Sequence, residues 1–115
     1  MTMFSIFCRG NLIGHSQLES GDAPMGVAFG RFLPSDAYAD VKSEIVGTYG
    51  NQEHLELTAS TAAGRPIQCI AIGINDQSVD LGPEELFIEI LGVPYPDFEE
   101  IFPEHVAAYK KLFPD

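Results

Sequence analysis

Apolar residues recur along most of the chain in the short runs and alternations that are typical of β-strands. The run Phe4–Cys8 is apolar, and the turn residues that follow it lead into residues 12–19, so the two segments predict an opening hairpin. Val27–Leu33 predicts a further strand. Because Gly26 and Gly30 have no side chain, they indicate a bulge or a place where another element comes close.

The second half of the chain predicts three more strands. Residues 54–60 alternate apolar and polar side chains, which is typical of an antiparallel strand with one buried face. Residues 67–74 are almost wholly apolar and are predicted to form a central strand. The last strand, 86–93, follows a polar loop over 75–85. A loop is also expected over 20–26, where glycine, aspartate and proline interrupt any regular pattern.

One helix is predicted within residues 34–47. Ser35 or Asp36 is placed to cap its first turn, and Gly47 stands where a glycine often ends a helix. The helix carries an apolar stripe at positions i, i+3 and i+7, formed by Tyr38, Val41 and Ile45. This stripe predicts that one face of the helix packs against the sheet.

Two short helices are predicted near the C-terminus. Pro96 suits the first turn of one helix, with acidic residues near its positive end. Pro103 breaks that helix and is placed to begin another, which carries Lys110 and Lys111 in its last turn. The second helix has an apolar stripe at helical spacing, formed by Phe102, Val106, Tyr109 and Phe113. Helix-start chemistry therefore accounts for most acids of this region.

These elements predict one α+β domain over residues 1–115. We expect a mainly antiparallel sheet of about five or six strands, with one central helix and C-terminal helices packed on one face. A sheet that is hydrophobic on one face must be covered, and the helices carry the matching stripes. The run of strands from His54 to Val93 argues against a βαβ arrangement. A hydrophobic share of 45% is enough for a core without disulfides.

The charge balance is strongly acidic. There are 17 acids and 6 bases, giving a formal net charge of -11, so binding to nucleic acid or an anionic membrane is disfavoured. No lysine or arginine occurs between Arg65 and Lys110, whereas nine acids do. Four of them fall in the polar loop, where no helix start explains them: Asp76, Asp80, Glu84 and Glu85. They are candidates for binding a basic partner protein, and the alternative is that the charge serves solubility.

Cysteine usage and hydropathy indicate a cytoplasmic protein. Cys8 and Cys69 are far apart in apolar, strand-like segments, so we expect buried free thiols in a reducing compartment. No apolar run approaches the roughly 18 residues that a membrane helix needs. The first residues lack both the basic and the apolar region of a signal peptide.

Signals for catalysis are weak. The segment 14–22 offers a candidate pocket formed by His15, Ser16, Glu19 and Asp22. Adjacent strand residues point to opposite faces, so His15 is poorly placed to activate Ser16 as a nucleophile. His54 and Glu56 share one face of a predicted strand, but no established metal-ligand spacing is present. We therefore predict no cofactor, no metal and no catalytic residue.

Two stretches resemble segments of a family of small uncharacterised bacterial proteins. They are IGHSQLESGDAPMGVAFGRFLP, residues 13–34, and LGVPYPDFEEIFPEHVAAY, residues 91–109. The resemblance rests on the positions of prolines, glycines and histidines in these two segments. It implies a bacterial cytoplasmic protein and brings no activity, cofactor or site residue with it.

Three functions remain open at this point. The small size, the acidity and the weak catalytic signals favour a non-enzymatic protein-binding module, similar to an immunity protein or an antitoxin. The polar cluster around His15 favours a small enzyme or ligand-binding domain with a pocket near residues 15–26. The third alternative is a homo-oligomeric housekeeping subunit, such as a homodimer, because an exposed edge strand over residues 54–60 could pair across a two-fold axis.

Overall fold

The computed structural model describes residues 3–113 and confirms the α+β class. Its strands are β1 (Phe4–Cys8), β2 (Asn11–Ser16), β3 (Ser20–Asp22), β4 (Val27–Arg31), β5 (Leu33–Pro34), β6 (Leu57–Ser60), β7 (Ala71–Asp76) and β8 (Leu86–Leu91). Its helices are α1 (Tyr38–Ile45), α2 (Ser78–Leu81), α3 (Asp97–Ile101) and α4 (Pro103–Leu112), with a 3₁₀ helix at Glu53–Leu55. None of the helices within residues 3–113 is both long and apolar enough to cross a bilayer.

The strands form two antiparallel sheets of four strands each, where the sequence predicts one sheet of about five or six. The strand orders are β5-β2-β1-β6 and β3-β4-β8-β7. The chain passes between the sheets at Phe32, inside the segment predicted as one strand. Phe32 is buried, and its N–H donates to the carbonyl oxygen of Leu86 at 3.0 Å, while β5 pairs with β2 in the other sheet. A single predicted strand is therefore shared by both sheets.

One hydrophobic cluster joins the two sheets and the helices. Residues of β1 and β8 alternate between buried and more exposed positions, as expected for strands with one face in a core. The buried residues of the two strands belong to the same cluster as those of α1, α3 and α4: Phe4, Ile6, Cys8, Leu86, Ile88, Ile90, Tyr38, Ile45, Phe98 and Val106. The helices thus complete the core, as the sequence predicts.

The prediction of a central strand at residues 67–74 is wrong in position. Strand β7 begins at Ala71 and lies at the edge of its sheet, whereas β8 lies inside it, between β4 and β7. The apolar residues just before β7 differ in burial. Ile67 is buried and its N–H bonds to β6, but the side chain of Ile70 is 85% exposed. An apolar run therefore did not mean burial on both faces.

The predicted strand over residues 54–60 begins only at Leu57. His54 lies in the 3₁₀ helix and Glu56 has a left-handed backbone (φ +48°), so the two do not share a strand face as predicted. The outer edge of β6 is also partly covered. Ala59 accepts a backbone bond of 2.9 Å from the N–H of Ile67, and a bridge joins Ser60 to the residue before Ile67. This leaves less free edge for pairing with a second copy.

Helix α1 begins at Tyr38, and neither Ser35 nor Asp36 caps it with a side chain. The residue that precedes the helix is Ala37, and the hydroxyl of Ser35 donates instead to the carbonyl oxygen of Leu12 at 3.3 Å. The predicted stripe is confirmed. Tyr38 and Ile45 are buried and Val41 packs partly buried against the core.

The two C-terminal helices are confirmed, with Pro103 as the first residue of α4. Pro96 precedes α3 as its N-cap residue. The apolar stripe of α4 reaches the core only as far as Val106. Tyr109 is 39% exposed and Phe113 is 62% exposed, and their rings contact each other with centroids 5.0 Å apart. The last two turns of α4 thus extend beyond the edge of the core.

Candidate functional site

The carboxylate of Asp76 is the centre of a buried polar cluster. Its Oδ2 accepts a hydrogen bond of 2.5 Å from the phenol of Tyr38 and lies 3.4 Å from Nζ of Lys42. Its Oδ1 accepts from the hydroxyl and the backbone N–H of Ser78, at 2.5 and 2.9 Å. Lys42 also donates to the Ser78 hydroxyl oxygen at 2.8 Å. The cluster fixes α1 and the start of α2 to the end of β7.

Opposing effects act on the pKa of Asp76. Burial raises it by desolvation, but hydrogen bonds from Ser78 and Tyr38 and the charge of Lys42 outweigh burial, so the pKa is lowered from its ordinary value. Burial and the bond to Asp76 raise the pKa of Tyr38 well above the ordinary value of a phenol. The pair is therefore an ionised carboxylate and a neutral phenol at neutral pH.

A serine beside a lysine and an aspartate resembles a nucleophilic site in composition, but the bonding is that of an aspartate turn just before α2. A nucleophilic serine needs a neighbouring base to accept its proton. Lys42 pairs with Asp76 as an ammonium, which has no lone pair to offer. Asp76 has a lowered pKa and is a weak base. The cluster therefore stabilises the fold and does not activate Ser78.

The acids predicted to bind a basic partner lie in different surroundings. The expected loop position is wrong for Asp76, which is buried at the end of β7 and fully engaged by its neighbours. The one local signal is the serine two residues after Asp76, because an aspartate often accepts a hydrogen bond from the N–H two residues on. Asp80 on α2 and Glu84 after it are exposed, and Glu85 is half-buried. For these three the role in partner binding stays a hypothesis.

The predicted pocket residues His15 and Ser16 point in different directions, as strand neighbours do. Ser16 is fully buried and its hydroxyl oxygen accepts a hydrogen bond of 3.0 Å from the N–H of Leu18. His15 is half-buried on the other face of β2. The hydroxyl of Ser16 is thus a local turn acceptor.

The other two predicted pocket residues also bond to backbone. Glu19 accepts a bond of 3.1 Å from the N–H of Arg31, and Asp22 accepts one of 3.4 Å from the N–H of Met25. Glu19 lines a cleft of about 390 Å³ beside α3 and α4. His15, Ser16 and Asp22 do not line that cleft, and a pocket shared by the four residues stays a hypothesis.

His105 connects α4 to the segment before β3. Its Nε2 lies 2.7 Å from the carbonyl oxygen of Leu18, and because a carbonyl only accepts, Nε2 carries the hydrogen. The ring stacks on Phe102 with centroids 5.4 Å apart. Gly21 leaves room for this ring, since a Cβ at that position would lie 2.8 Å from it. His105 is therefore a structural contact of the C-terminal helix.

A different cleft, which we call the acidic cleft, lies where the edge strands β6 and β7 approach each other. Its volume is about 410 Å³. Its lining combines apolar side chains of both strands and of β8 with a set of polar groups: Tyr49, Gln52, Glu53, Glu56 and Glu89. No lysine or arginine of the described residues lines it. An apolar surface with negative charge and no counter-charge suits a ligand that is apolar and positively charged.

Tyr49 and Glu89 face each other in the acidic cleft. The phenol of Tyr49 donates a hydrogen bond to Oε1 of Glu89. Burial raises the pKa of Glu89 above its ordinary value, because the carboxylate loses water and gains no positive partner. A cation that entered the cleft would supply that missing counter-charge.

Gln52 forms one wall of the acidic cleft and bonds to the outer edge of β7. Its side-chain amide donates to the carbonyl oxygen of Ile74 at 2.8 Å and accepts from the N–H of Ile74 at 2.7 Å. The amide therefore takes the place of a neighbouring strand at one residue. Sequence reasoning did not single out Gln52, Tyr49 or Glu89, because only the tertiary fold brings the loop after α1 next to β7 and β8.

The free thiols are confirmed for Cys8 and Cys69. Cys8 is buried, whereas Cys69 is half-buried and lines an adjoining cleft of about 650 Å³ that shares part of β7 with the acidic cleft. No group of three or more histidine, cysteine or acidic side chains with the geometry of a metal site is found within residues 3–113.

The chain matches no family model, no curated protein and no solved structure. The fold and the site define it by class, as an α+β domain of two antiparallel sheets with an acidic cleft between two edge strands.

Proposed function

We propose that this protein is a non-enzymatic binding module that recognises a basic segment of another protein through the acidic cleft. An immunity protein or an antitoxin acts in this general way, by covering a basic surface of its target. The observation that carries the proposal is the lining of the cleft, which joins apolar side chains to Glu53, Glu56 and Glu89 without a lysine or arginine.

Two further observations support the proposal. The net charge of -11 attracts a basic partner over a longer range and accelerates association. The serine, lysine and aspartate that most resemble a catalytic set are hydrogen-bonded to one another at the start of α2. Among residues 3–113, no lysine or arginine lines the cleft beside its three acids, so a basic partner would meet no like charge there.

The proposal is tested with two variants that lose the same charge. The cleft variant carries Glu53→Gln, Glu56→Gln and Glu89→Gln, and the loop variant carries Asp80→Asn, Glu84→Gln and Glu85→Gln. Each form is used to capture partners from the native cells, with quantification by mass spectrometry. We expect basic proteins that the loop variant retains and the cleft variant loses by at least tenfold.

Binding kinetics of a recovered partner at two salt concentrations complete the test. Association should slow as salt rises, because screening shortens the reach of the charges. Equal recovery by the cleft variant and the unaltered protein would overturn the proposal. Loss with the loop variant alone would move the site to the loop after β7.

A small-molecule site is the second candidate function, and the size of the acidic cleft favours it. About 410 Å³ lies within the range of small-ligand pockets. The phenol of Tyr49 and the carboxylate of Glu89 would then bind an amine. Thermal unfolding in the presence of a panel of apolar amines tests this candidate, since a ligand of the folded state raises the unfolding temperature.

A further inference from the structure

We propose that the partner binds as an added β-strand along the outer edge of β7, beside Ile72. This inference rests on the proposed function and specifies how the acidic cleft engages its partner. The occupant is an extended, basic segment of another protein. Its main chain pairs with β7 while its positive side chains reach the cleft acids.

The pairing of β7 shows which backbone groups face outward. In an antiparallel pair, residues alternate between those that bond to the neighbouring strand and those that point away from it. The backbone N–H and C=O of Ile74 both bond to the side chain of Gln52, so these two backbone groups point away from β8. Ile72 is two residues earlier and opposite Ile90, so its N–H and C=O also point outward.

The outward groups of Ile72 are open to a partner. No hydrogen bond from a loop or a side chain to these two groups is found within residues 3–113. Ile72 lines both the acidic cleft and the adjoining cleft of about 650 Å³, so space lies on this side of the strand. An open strand edge is a template for another strand. The Gln52 amide ends the free edge at Ile74, where it occupies the bonds that a neighbouring strand would make.

Charge selects the kind of strand that binds. Glu53, Glu56 and Glu89 line the acidic cleft, and no lysine or arginine of the described chain lines either cleft. A basic strand would place alternate side chains beside these acids, because strand side chains alternate in direction. A second copy of this chain is disfavoured, since each copy carries a net charge of -11 and repels the other.

The experiment begins with random ten-residue peptides displayed on phage. They are selected on the unaltered protein and counter-selected on the cleft variant, so that peptides which need the acids are kept. The selected peptide is then synthesised in three forms: unmodified, N-methylated at odd positions and N-methylated at even positions. N-methylation removes main-chain donors on one edge of an extended peptide and keeps its charge.

We expect one N-methylated form to bind at least tenfold more weakly than the unmodified peptide, and the other to bind within about twofold. We expect this difference because only the N–H groups on one edge of the peptide would pair with β7. Equal binding of all three forms would overturn strand addition and leave recognition by the cleft acids intact. Failure to select any basic peptide that prefers the unaltered protein would overturn the proposed function itself.

A substitution in the protein tests the same strand edge, as the N-methylated peptides do for the partner. Ile72→Pro removes the outward N–H, and a proline is tolerated on an edge strand whose N–H faces away from the sheet. The variant should unfold cooperatively and lose at least tenfold in affinity for the peptide. Unchanged affinity in a folded variant would overturn the inference, and the N-methylated peptides decide the matter if the variant does not fold.

Discussion

The phenol of Tyr38 donates a hydrogen bond of 2.5 Å to the buried carboxylate of Asp76, which lies 38 residues further along the chain. The bond joins the first residue of α1 to the last residue of β7. An ionised carboxylate inside a protein is stable only when its oxygens are paired, and Tyr38 supplies one of those partners. The position of α1 thus depends on a polar contact as well as on its apolar stripe.

Replacing Tyr38 with phenylalanine should destabilise the protein by about 1.5–3 kcal/mol, since it removes a hydrogen bond to a charged, buried acceptor and keeps the ring. Tyr49→Phe is the matched control. It removes a phenol that also bonds to a carboxylate, but at an exposed position, so its effect should be about 0.5 kcal/mol or less. Urea unfolding measures both. Equal losses would contradict the role assigned to the Tyr38–Asp76 bond.

The pH dependence of stability should differ in sign between Asp76 and Glu89. The pKa of Asp76 is lowered in the folded state, so its contribution is fully present above the ordinary aspartate pKa of about 3.9 and is lost as the pH falls through the lowered value. The pKa of Glu89 is raised by burial, so folding is favoured while Glu89 is protonated. That contribution is lost as the pH rises above the ordinary glutamate pKa of about 4.3.

Single amide variants separate the two contributions. Asp76→Asn should lose stability at neutral pH, and its difference from the unaltered protein should shrink as the pH falls below about 4. Glu89→Gln should be at least as stable as the unaltered protein at neutral pH, with the difference vanishing in acid. Urea unfolding between about pH 3 and pH 7 measures both curves. A Glu89→Gln variant that is less stable than the unaltered protein at neutral pH would contradict an unfavourable burial of the Glu89 carboxylate.

Local patterns predicted the elements whose surroundings match their sequence. Phe4–Cys8 and Leu86–Leu91 carry clear strand patterns, and Pro103 marks the start of α4, because each signal is contained within a few residues. The passage between sheets at Phe32 left no local mark, since the pattern on both sides is that of one strand. The edge position of β7 was likewise set by the pairing of other strands.

The site was less predictable than the fold, for a physical reason. In the sequence, Asp76 resembles the other acids of a polar loop, although an aspartate two residues before a serine is a turn pattern that points to a structural role. The acidic cleft brings Tyr49 and Gln52, from the loop after α1, together with Glu89 of β8, about 40 residues further along the chain. Charge alone could not show that Asp76 is buried and paired, because it carries no information on the neighbours of each acid.

Substitutions in α4 should rank by burial. Pro103→Ala should change the free energy of unfolding by less than about 1 kcal/mol, since the first residue of a helix has no intrahelical partner for its N–H. Val106→Ala should cost roughly 1–3 kcal/mol, because Val106 is buried and its methyl groups leave a gap. Tyr109→Ala should cost less than Val106→Ala, since Tyr109 is 39% exposed. Thermal unfolding ranks the three, and a Pro103→Ala as damaging as Val106→Ala would contradict the assignment of the helix start.

The two thiols should react at different rates, which provides a probe of the β7 edge. Cys8 is buried and its thiol donates to the carbonyl oxygen of Leu55 at 3.1 Å, whereas Cys69 is half-buried beside β7. Desolvation raises the pKa of both thiols, so both should react more slowly than a free thiol. Cys8 should be the slower, because a reagent reaches it only when the core opens.

Maleimide labelling of Cys8→Ser and Cys69→Ser variants measures each thiol separately. A peptide bound along β7 should slow the labelling of Cys69 severalfold, because it covers the adjoining cleft, and should leave Cys8 unchanged. Labelling in urea supplies the control, since both thiols become equally accessible once the chain unfolds. A Cys8 that reacts as fast as Cys69 in the folded protein would contradict the burial of β1, and a Cys69 that the peptide does not protect would place the peptide away from this edge.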